Sequence, residues 1–391
     1  MTRTATLLLL LAVLVASVAS CSDATADEPG GDGVEQQGRW HTAREQHIDE
    51  RIEQLSTLSY VSGSKPAREA RGITIFDESA AWSGLNLFTS GHASSAVLVD
   101  MEGNQLHEWR CSFDSAMPDY REEPLGQKEH FRQYFRRVKL LPDGDLLAIF
   151  EGHALVKLDR DSNLQWVFTG GPHHDLEVME SGEIYVLTRT PHMLDRINRD
   201  EPVLEDFISV LDPDGKALRR VSVLEAFERS RFASDLATMK NFGDLLHTNT
   251  LEVLDGRLAH LDPAFAKGNV LISCLKTSTI AVIDLEREEV VWSARGSWVR
   301  QHQPTVLDNG RLLLFDNLGR NKKAAHGRSR VLELDPVSLA IEWSYKGSEG
   351  QPFQSNTCGS CQRLPNGNTL ITESDYGRAF EVNSDGRIVW E

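Results

Sequence analysis

From about residue 72 to the C-terminus the chain repeats one grammar. A strand leads to a glycine turn, a strongly apolar strand follows, a third ends in an acidic residue, and a fourth ends in tryptophan or another bulky side chain. The turns read Pro-Asp-Gly at 142–144, Ser-Gly at 181–182, Asp-Asn-Gly at 308–310 and Pro-Asn-Gly at 365–367. Such punctuation between short apolar runs signals antiparallel hairpins. Six units follow: 72–110, 136–168, 174–223, 247–292, 302–345 and 362–391. The third carries an insertion near 190–205, and the fourth has a longer first turn.

Four-stranded units at a period of about 40–50 residues are the blades of a propeller. A pair of β-sandwiches would not repeat the glycine and tryptophan marks through the chain, and a β-solenoid has shorter repeats. The expected architecture is therefore all-β, a six-bladed β-propeller with four-stranded blades over 72–391. One stretch breaks the grammar. Residues 223–244 (VLEAFERSRFASDLATMKNFGD) have helical character and fall between units three and four. An insertion there is expected to hang from one face and cover the central pocket.

The segment before the repeat has its own logic. Residues 1–21 read as a bacterial export signal, with Arg3 as the positive start and Leu7–Val15 as the apolar core. Val18-Ala19-Ser20-Cys21 directly follows, as in a lipobox whose cysteine is acylated and becomes the mature N-terminus. The alternative is an ordinary cleavage site with a stray cysteine. Residues 22–38 are acidic and rich in Gly and Ser, as in a flexible tether. Residues 39–58 are charged with helical spacing and open an N-terminal helical segment over 39–71. The expected location is the bacterial cell envelope, periplasm or surface, with the lipid as the sole membrane contact.

The net charge of −17 argues against a nucleic-acid partner, which requires a basic stripe. It leaves room for a small anion, because one pocket can be locally positive on an acidic protein. Beyond Cys21 the cysteines are Cys111, Cys274, Cys358 and Cys361. Cys358-Gly-Ser-Cys361 admits a disulfide, a redox pair or half of a metal site. With no second CxxC and no thioredoxin-like surroundings, a structural pair or free thiols is the preferred reading.

Three histidines share one register. His174 precedes the turn glycine Gly182 by eight residues, His302 precedes Gly310 by eight, and His247 precedes Gly256 by nine. In a propeller the first strand of each blade lines the axis, so these rings start three consecutive axial strands at one end. The same offset falls on Arg136 in unit two and Gly359 in unit six. Loops between second and third strands return to that end with Arg189, Lys276, Asn317, Arg320, Asp375 and Arg378. Imidazoles with Lys and Arg suit an oxyanion. A metal is the competing reading, since three histidines with Asp175 as carboxylate can hold zinc or iron. His153, His326 and, on spacing alone, His173 read as structural or solvent-facing.

The segments HHDLEVMESGEIYVL, HTNTLEVL, RQHQPTVLDNGRLLLFDN, SRVLELDP and QRLPNGNTLITESDYGRAFEVNSDGRIVWE together resemble the bacterial arylsulfotransferase (aryl-sulfate sulfotransferase) family. The likeness runs over roughly 70–391, and GITIFDESAAWSGLNLFTS with VLVDMEGNQLHEW fits the first blade. It implies an exported six-bladed propeller that moves a sulfuryl group from a phenolic sulfate ester to another phenol. No nucleotide sulfate donor, cofactor or metal is implied. The QH pair makes His302 the nucleophile, and HHD and HTN make His174 and His247 the holders of the sulfuryl oxygens. The substrate side is expected to include His173, Asn249, Lys276, Asn317 and Arg378.

The chain departs from the family most clearly in one place, and Gln303 and Pro304 after His302 vary its motif. Where members with established activity carry a sulfate-clamping arginine in blade four, this sequence reads ISCLKTST, with Leu275 and Lys276. A lysine supplies charge there but no bidentate fork. Two other function classes stay open on the residues alone: a non-catalytic ligand- or protein-binding propeller, and a metal-dependent hydrolase or lyase.

Overall fold

The computed structural model describes residues 39–56, 58, 69–120, 134–317 and 329–391. Cys21, the tether at 22–38, Arg320 and His326 lie outside the described residues. The chain divides into two compact units, Met1–Arg44 and Glu45–Glu391. Of the first, only the opening of helix α1 (Arg39–Ser56) is described. No helix among the described residues is long and apolar enough to cross a membrane.

The second unit is a six-bladed propeller of antiparallel sheets. Blade one has β1 (Asn86–Thr89), β2 (Ser95–Val99) and β3 (Gln105–Arg110), and blade two has β4 (Arg137–Leu140), β5 (Leu146–Phe150), β6 (Ala154–Leu158) and β7 (Leu164–Phe168). After the short helix α2 (Phe113–Ala116) has bridged these two, blade three follows with β8 (Pro172–Val178), β9 (Ile184–Leu194), β10 (Asn198–Leu211) and β11 (Ala217–Ser222). Helix α3 (Val223–Glu228) and a 3-10 turn at Ala233–Thr238 occupy the expected helical insertion. A two-residue strand β12 (Gly243–Asp244) then returns to pair in parallel with β10. Blade four has β13 (Thr248–Val253), β14 (Val270–Cys274), β15 (Thr279–Asp284) and β16 (Glu289–Ala294). Blade five has β17 (His302–Val306), β18 (Leu312–Asp316), β19 (Arg330–Leu334) and β20 (Ile341–Tyr345), and blade six has β21 (Ser360–Arg363), β22 (Thr369–Glu373), β23 (Arg378–Val382) and β24 (Ile388–Trp390). The insertion expected near 190–205 is not a loop; it is the extension of β9 and β10 into a hairpin arm.

The core lies between blades, and strand periodicity explains why. In β18, Leu312 and Leu314 pack with blade four, whereas Leu313 and Phe315 pack with blade six. A central strand buried on both faces needs apolar residues at every position, hence the continuous runs LLAIF, VLISC and LLLFD. The outer-strand tryptophans tie neighbouring blades together. Trp109 donates its indole N–H to the Gly144 carbonyl at 3.1 Å, Trp343 to Ser384 at 2.9 Å and Trp390 to Met101 at 2.9 Å, each a turn of the next blade. Apolar body and polar tip are both satisfied, which accounts for the repeated mark.

Blade one differs from the sequence expectation. Its tryptophan, Trp109, sits on the third described strand, so the counterpart of the innermost strand is missing there among the described residues. The segment GITIFD, expected to open that blade, lies instead along the outer edge of β24. Thr74 N donates to Glu391 O at 2.8 Å, Asp77 N to Val389 O at 2.8 Å, and Glu391 N to Ile75 O at 2.9 Å. An otherwise open sheet edge is thereby covered, and the two ends of the ring are joined.

Candidate active site

Innermost strands β4, β8, β13, β17 and β21 lie side by side around the axis. Inner carboxylates stitch them together: Glu177 accepts from Val253 N at 2.6 Å, and Glu252 from Val306 N at 2.8 Å. The register of β8, β13 and β17 breaks where the histidines stand, between Pro172 and Leu176, Thr248 and Thr250, and His302 and Thr305. His174 and His247 each hold a left-handed φ of 54°, and Gln303 one of 46°. A bulge re-aims a side chain, and a non-glycine residue in this region costs about 1–3 kcal/mol. His174 and His247 are among the strained residues, and Gln303 follows His302 directly.

The three rings converge. His174 and His247 meet edge to face with centroids 5.0 Å apart. His302 lies close enough that charge on His247 or Arg136 disfavours its own protonation. Burial is the largest cause and holds the His302 imidazole at about 3, against a hydrogen bond to Asn317 that favours the charged form. His174 is likewise held far below the usual range by burial, then by Arg136 and His247. Both rings are neutral bases at physiological pH.

Each ring is fixed by partners. His302 Nδ1 lies 2.8 Å from Asn317 Oδ1 and 3.2 Å from Arg300 O. His247 Nδ1 lies 2.7 Å from Asp244 Oδ2, while the His247 backbone N–H donates to Asp244 Oδ1 at 3.1 Å. His174 Nδ1 faces His173 Nδ1 at 2.9 Å and Glu151 Oε1 at 3.4 Å. His173 in turn sits 3.6 Å from Asp206, whose carboxyl is pushed up to about 7 by burial and by Asp244. Burial also opposes charge on Asp244, but His247, Lys276 and Arg189 outweigh it and hold that carboxyl below its ordinary range. Of the two acids, Asp206 takes a proton more readily and Asp244 favours the charged form.

The other residues expected from sequence separate into two groups. Lys276, its side chain 39% exposed, reaches Asp244 at 3.7 Å and so stands behind His247. Asn249 donates to Gln301 O at 2.9 Å, beside His302. Asn317 directs its oxygen to His302 and its amide hydrogens to the carbonyls of Ser355 and Cys358 at 2.7 and 2.8 Å. Arg378 is placed elsewhere. Its guanidinium pairs with Glu373 at 3.4 Å and with Glu391, and stacks over Phe380, all within blade six. The neighbouring Asp375 does face this end, where it accepts from Asn356 N at 2.9 Å and Thr357 Oγ1 at 2.7 Å and shapes the Cys358 loop.

Three contributors to the cluster had not been singled out as site residues. Arg136, at the histidine register in blade two, has a side chain only 15% exposed, with Nε 3.3 Å from Glu151. Burial opposes its charge, yet Cys358 and Glu151 outweigh it and raise its pKa. Glu151 itself touches His174 and lies 3.9 Å from Arg189. Asp244 is delivered by β12, three residues before His247. The sixth blade contributes Cys358 rather than Gly359: Cys358 has φ 54°, as His247 does, and both precede their turn glycine by nine residues. Cys358 and Cys361 are both free thiols, with Cys361 buried against Ile371 and Phe380.

A metal has one candidate group among the described residues: ligand atoms of Glu151, His173 and His174 lie within 4.8 Å of one another. The trio His174, His247 and His302 with Asp175 does not form such a group, because Asp175 turns to Arg137 at 2.9 Å and Leu251 N at 3.2 Å. Two guanidiniums on Glu151 oppose a dication there, so the donor set fits an anion better than a metal.

Among solved structures, the chain is similar to a protein of unknown function from Bacteroides caccae (15% identity, 78% of this chain and 92% of that chain covered, TM-score 0.48). It is also similar to a streptogramin B lyase (13%, 85% and 84%, TM-score 0.45) and to virginiamycin B lyase from Staphylococcus aureus (12%, 82% and 83%, TM-score 0.45). Likeness at this level lends none of their activities to this chain. No curated protein sequence matches it. A sequence model of the arylsulfotransferase (ASST) family does, over residues 137–391, which begins at β4 and takes in His174, His247 and His302 but not blade one. With that match spanning five of the six blades and the whole histidine cluster, the chain belongs to the arylsulfotransferase (ASST) family.

Proposed function

We propose that the protein transfers a sulfuryl group from a phenolic sulfate ester to a phenol through a sulfo-histidine on His302. The observation that carries this reading is the pairing of His302 with Asn317. Both Asn317 amide hydrogens donate to backbone carbonyls, so its oxygen faces His302 and accepts from Nδ1–H. The lone pair then resides on Nε2, on a ring that burial keeps neutral. Neutral and with its lone pair free on Nε2, that ring is set up as a nucleophile.

The remaining groups divide the labour. His302 Nε2 attacks sulfur, the bond between sulfur and the phenolic oxygen breaks, and the departing phenolate takes a proton from His247. In the second half the acceptor phenol returns a proton to His247, its oxygen attacks sulfur, and the N–S bond breaks to restore His302. Asp244, anionic and 2.7 Å from His247 Nδ1, stabilises the imidazolium that this exchange requires. By analogy with phosphoryl transfer, charge in the transition state gathers on the sulfuryl oxygens, so fixed cationic donors lower the barrier most. Arg136 supplies the guanidinium that blade four lacks, with His174 beside it.

Incubation with 4-nitrophenyl sulfate and a phenol tests the reading. The expected result is 4-nitrophenolate release, a sulfated His302 peptide by mass spectrometry, and loss of both in His302→Ala. Absence of transfer to any phenol, or transfer unaffected by His302→Ala, sinks it. We further propose attachment to the cell envelope through lipidated Cys21, supported by the apolar run Leu7–Val15 that ends just before the small-residue segment at 18–20. Cys21→Ala then moves the protein from the membrane fraction to the soluble one; a variant that stays with the membrane contradicts the anchor.

A further inference from the structure

Next to the histidine cluster, a cavity of about 330 Å³ opens between blades two and three, at the last turn of α1. Its wall includes Arg189, Arg220, Thr169, Thr190, Gly171 and Ser56, with no carboxylate among the described lining residues. On a chain of net charge −17, two guanidiniums in the described lining make this cavity locally positive.

Both arginines are held in place before any ligand arrives. The Arg220 guanidinium carbon sits over the Phe207 ring, 3.5 Å from its centroid, and Arg220 donates to Thr190 Oγ1. It forms no ion pair among the described residues, and burial depresses its pKa against the weaker pull of Glu205. Arg189 runs close against two glycines. A Cβ on Gly152 would lie 2.3 Å from the Arg189 guanidinium, and one on Gly171 would lie 2.4 Å from its carbonyl oxygen. Both glycines hold left-handed φ, 74° and 71°. The Leu58 carbonyl accepts from the far side of Arg189 at 2.7 Å.

We infer that this cavity is a second anion site, which binds a single-ring organic oxyanion, a carboxylate or a sulfate ester, with its charge on Arg220 and its ring against Pro191. The volume matches a small-molecule pocket and exceeds what an inorganic oxyanion fills. A guanidinium fork fixed on an aromatic face binds a planar or tetrahedral oxyanion at little ordering cost. Thr169 adds a hydroxyl donor at the rim. Arg220, which carries the proposed charge contact, has no part in the proposed sulfuryl transfer, while Arg189 also reaches Glu151 beside His174 at 3.9 Å.

Equilibrium dialysis of the full chain against 4-nitrobenzoate, which carries no sulfuryl group, tests the inference. A parallel arm uses 4-nitrophenyl sulfate with the His302→Ala variant. The 4-nitrobenzoate arm is expected to show a saturable site weakened about tenfold or more by Arg220→Gln and less by Arg220→Lys, and the 4-nitrophenyl sulfate arm the same Arg220-dependent site beside a catalytic one that Arg220→Gln leaves unchanged. Binding of both probes at wild-type strength in Arg220→Gln overturns the inference, as does the absence of saturable binding in both arms. If transfer fails while this binding persists, the catalytic reading falls and the second site stands.

Discussion

Asn317 Oδ1 lies 2.8 Å from His302 Nδ1, and the Asn317 amide is pinned from behind by the carbonyls of Ser355 and Cys358. One side chain from the end of β18 thus decides which nitrogen of the proposed nucleophile bears its lone pair. It does so by tying blade five to the loop that opens blade six.

Replacing that side chain should therefore damage turnover more than binding. Asn317→Ala frees the His302 ring, and a misplaced nucleophile costs on the order of 10²-fold in kcat, with KM nearly unchanged. Steady-state kinetics with 4-nitrophenyl sulfate read the split. A rise in KM at constant kcat would instead make Asn317 a substrate contact.

Arg136, rather than Lys276, should carry the sulfuryl charge. Arg136→Lys keeps the charge but loses the fork, with an expected loss of kcat/KM of roughly 10²-fold. Lys276→Ala should cost only a few-fold, because Lys276 is 39% exposed and touches the site only through Asp244 at 3.7 Å. The two kinetic series rank the cations directly, and the reverse order refutes the assignment.

The Asp244–His247 pair predicts a leaving-group effect. Asp244→Asn removes the charge that stabilises protonated His247, so proton donation to the departing phenolate weakens. Donors with poor leaving groups should lose on the order of 10²-fold, and 4-nitrophenyl sulfate, whose phenolate needs little help, far less. A uniform loss across a series of aryl sulfates would assign Asp244 a structural role alone.

Glu252 makes stability depend on pH. Burial pushes its carboxyl up to about 8, above its ordinary 4.5, against the hydrogen bond from Val306 N. The folded state therefore favours the protonated form. Its contribution is complete below about 4.5 and is lost as pH rises through about 8. Glu252→Gln keeps an acceptor for Val306 and escapes this loss. Thermal melts at rising pH should show the variant gaining on the wild type, by up to a few kcal/mol at alkaline pH. A constant gap between pH 5 and 9 contradicts the buried carboxyl.

The repeat, the turn glycines, the tryptophan marks and the shared register of His174, His247 and His302 are local patterns, and local patterns are legible in a sequence. Period-2 burial imposes the apolar runs, and left-handed turns impose the glycines at 144, 182, 256 and 310. What the sequence alone could not decide is competition between distant groups. Whether GITIFD joins blade one or closes on β24 depends on which sheet edge is open. Arg378 sits at the expected position in its blade, but Glu373 and Glu391 capture its guanidinium. Asp244 reaches His247 because β12 pairs with β10 across the helical insertion. Arg136 enters the cluster because the closed ring places Glu151, Cys358 and the histidines around it. Spacing determined which end of the propeller these residues occupy. The aim of each side chain depends on partners hundreds of residues away in some cases, and only the closed ring brings those partners within hydrogen-bonding distance.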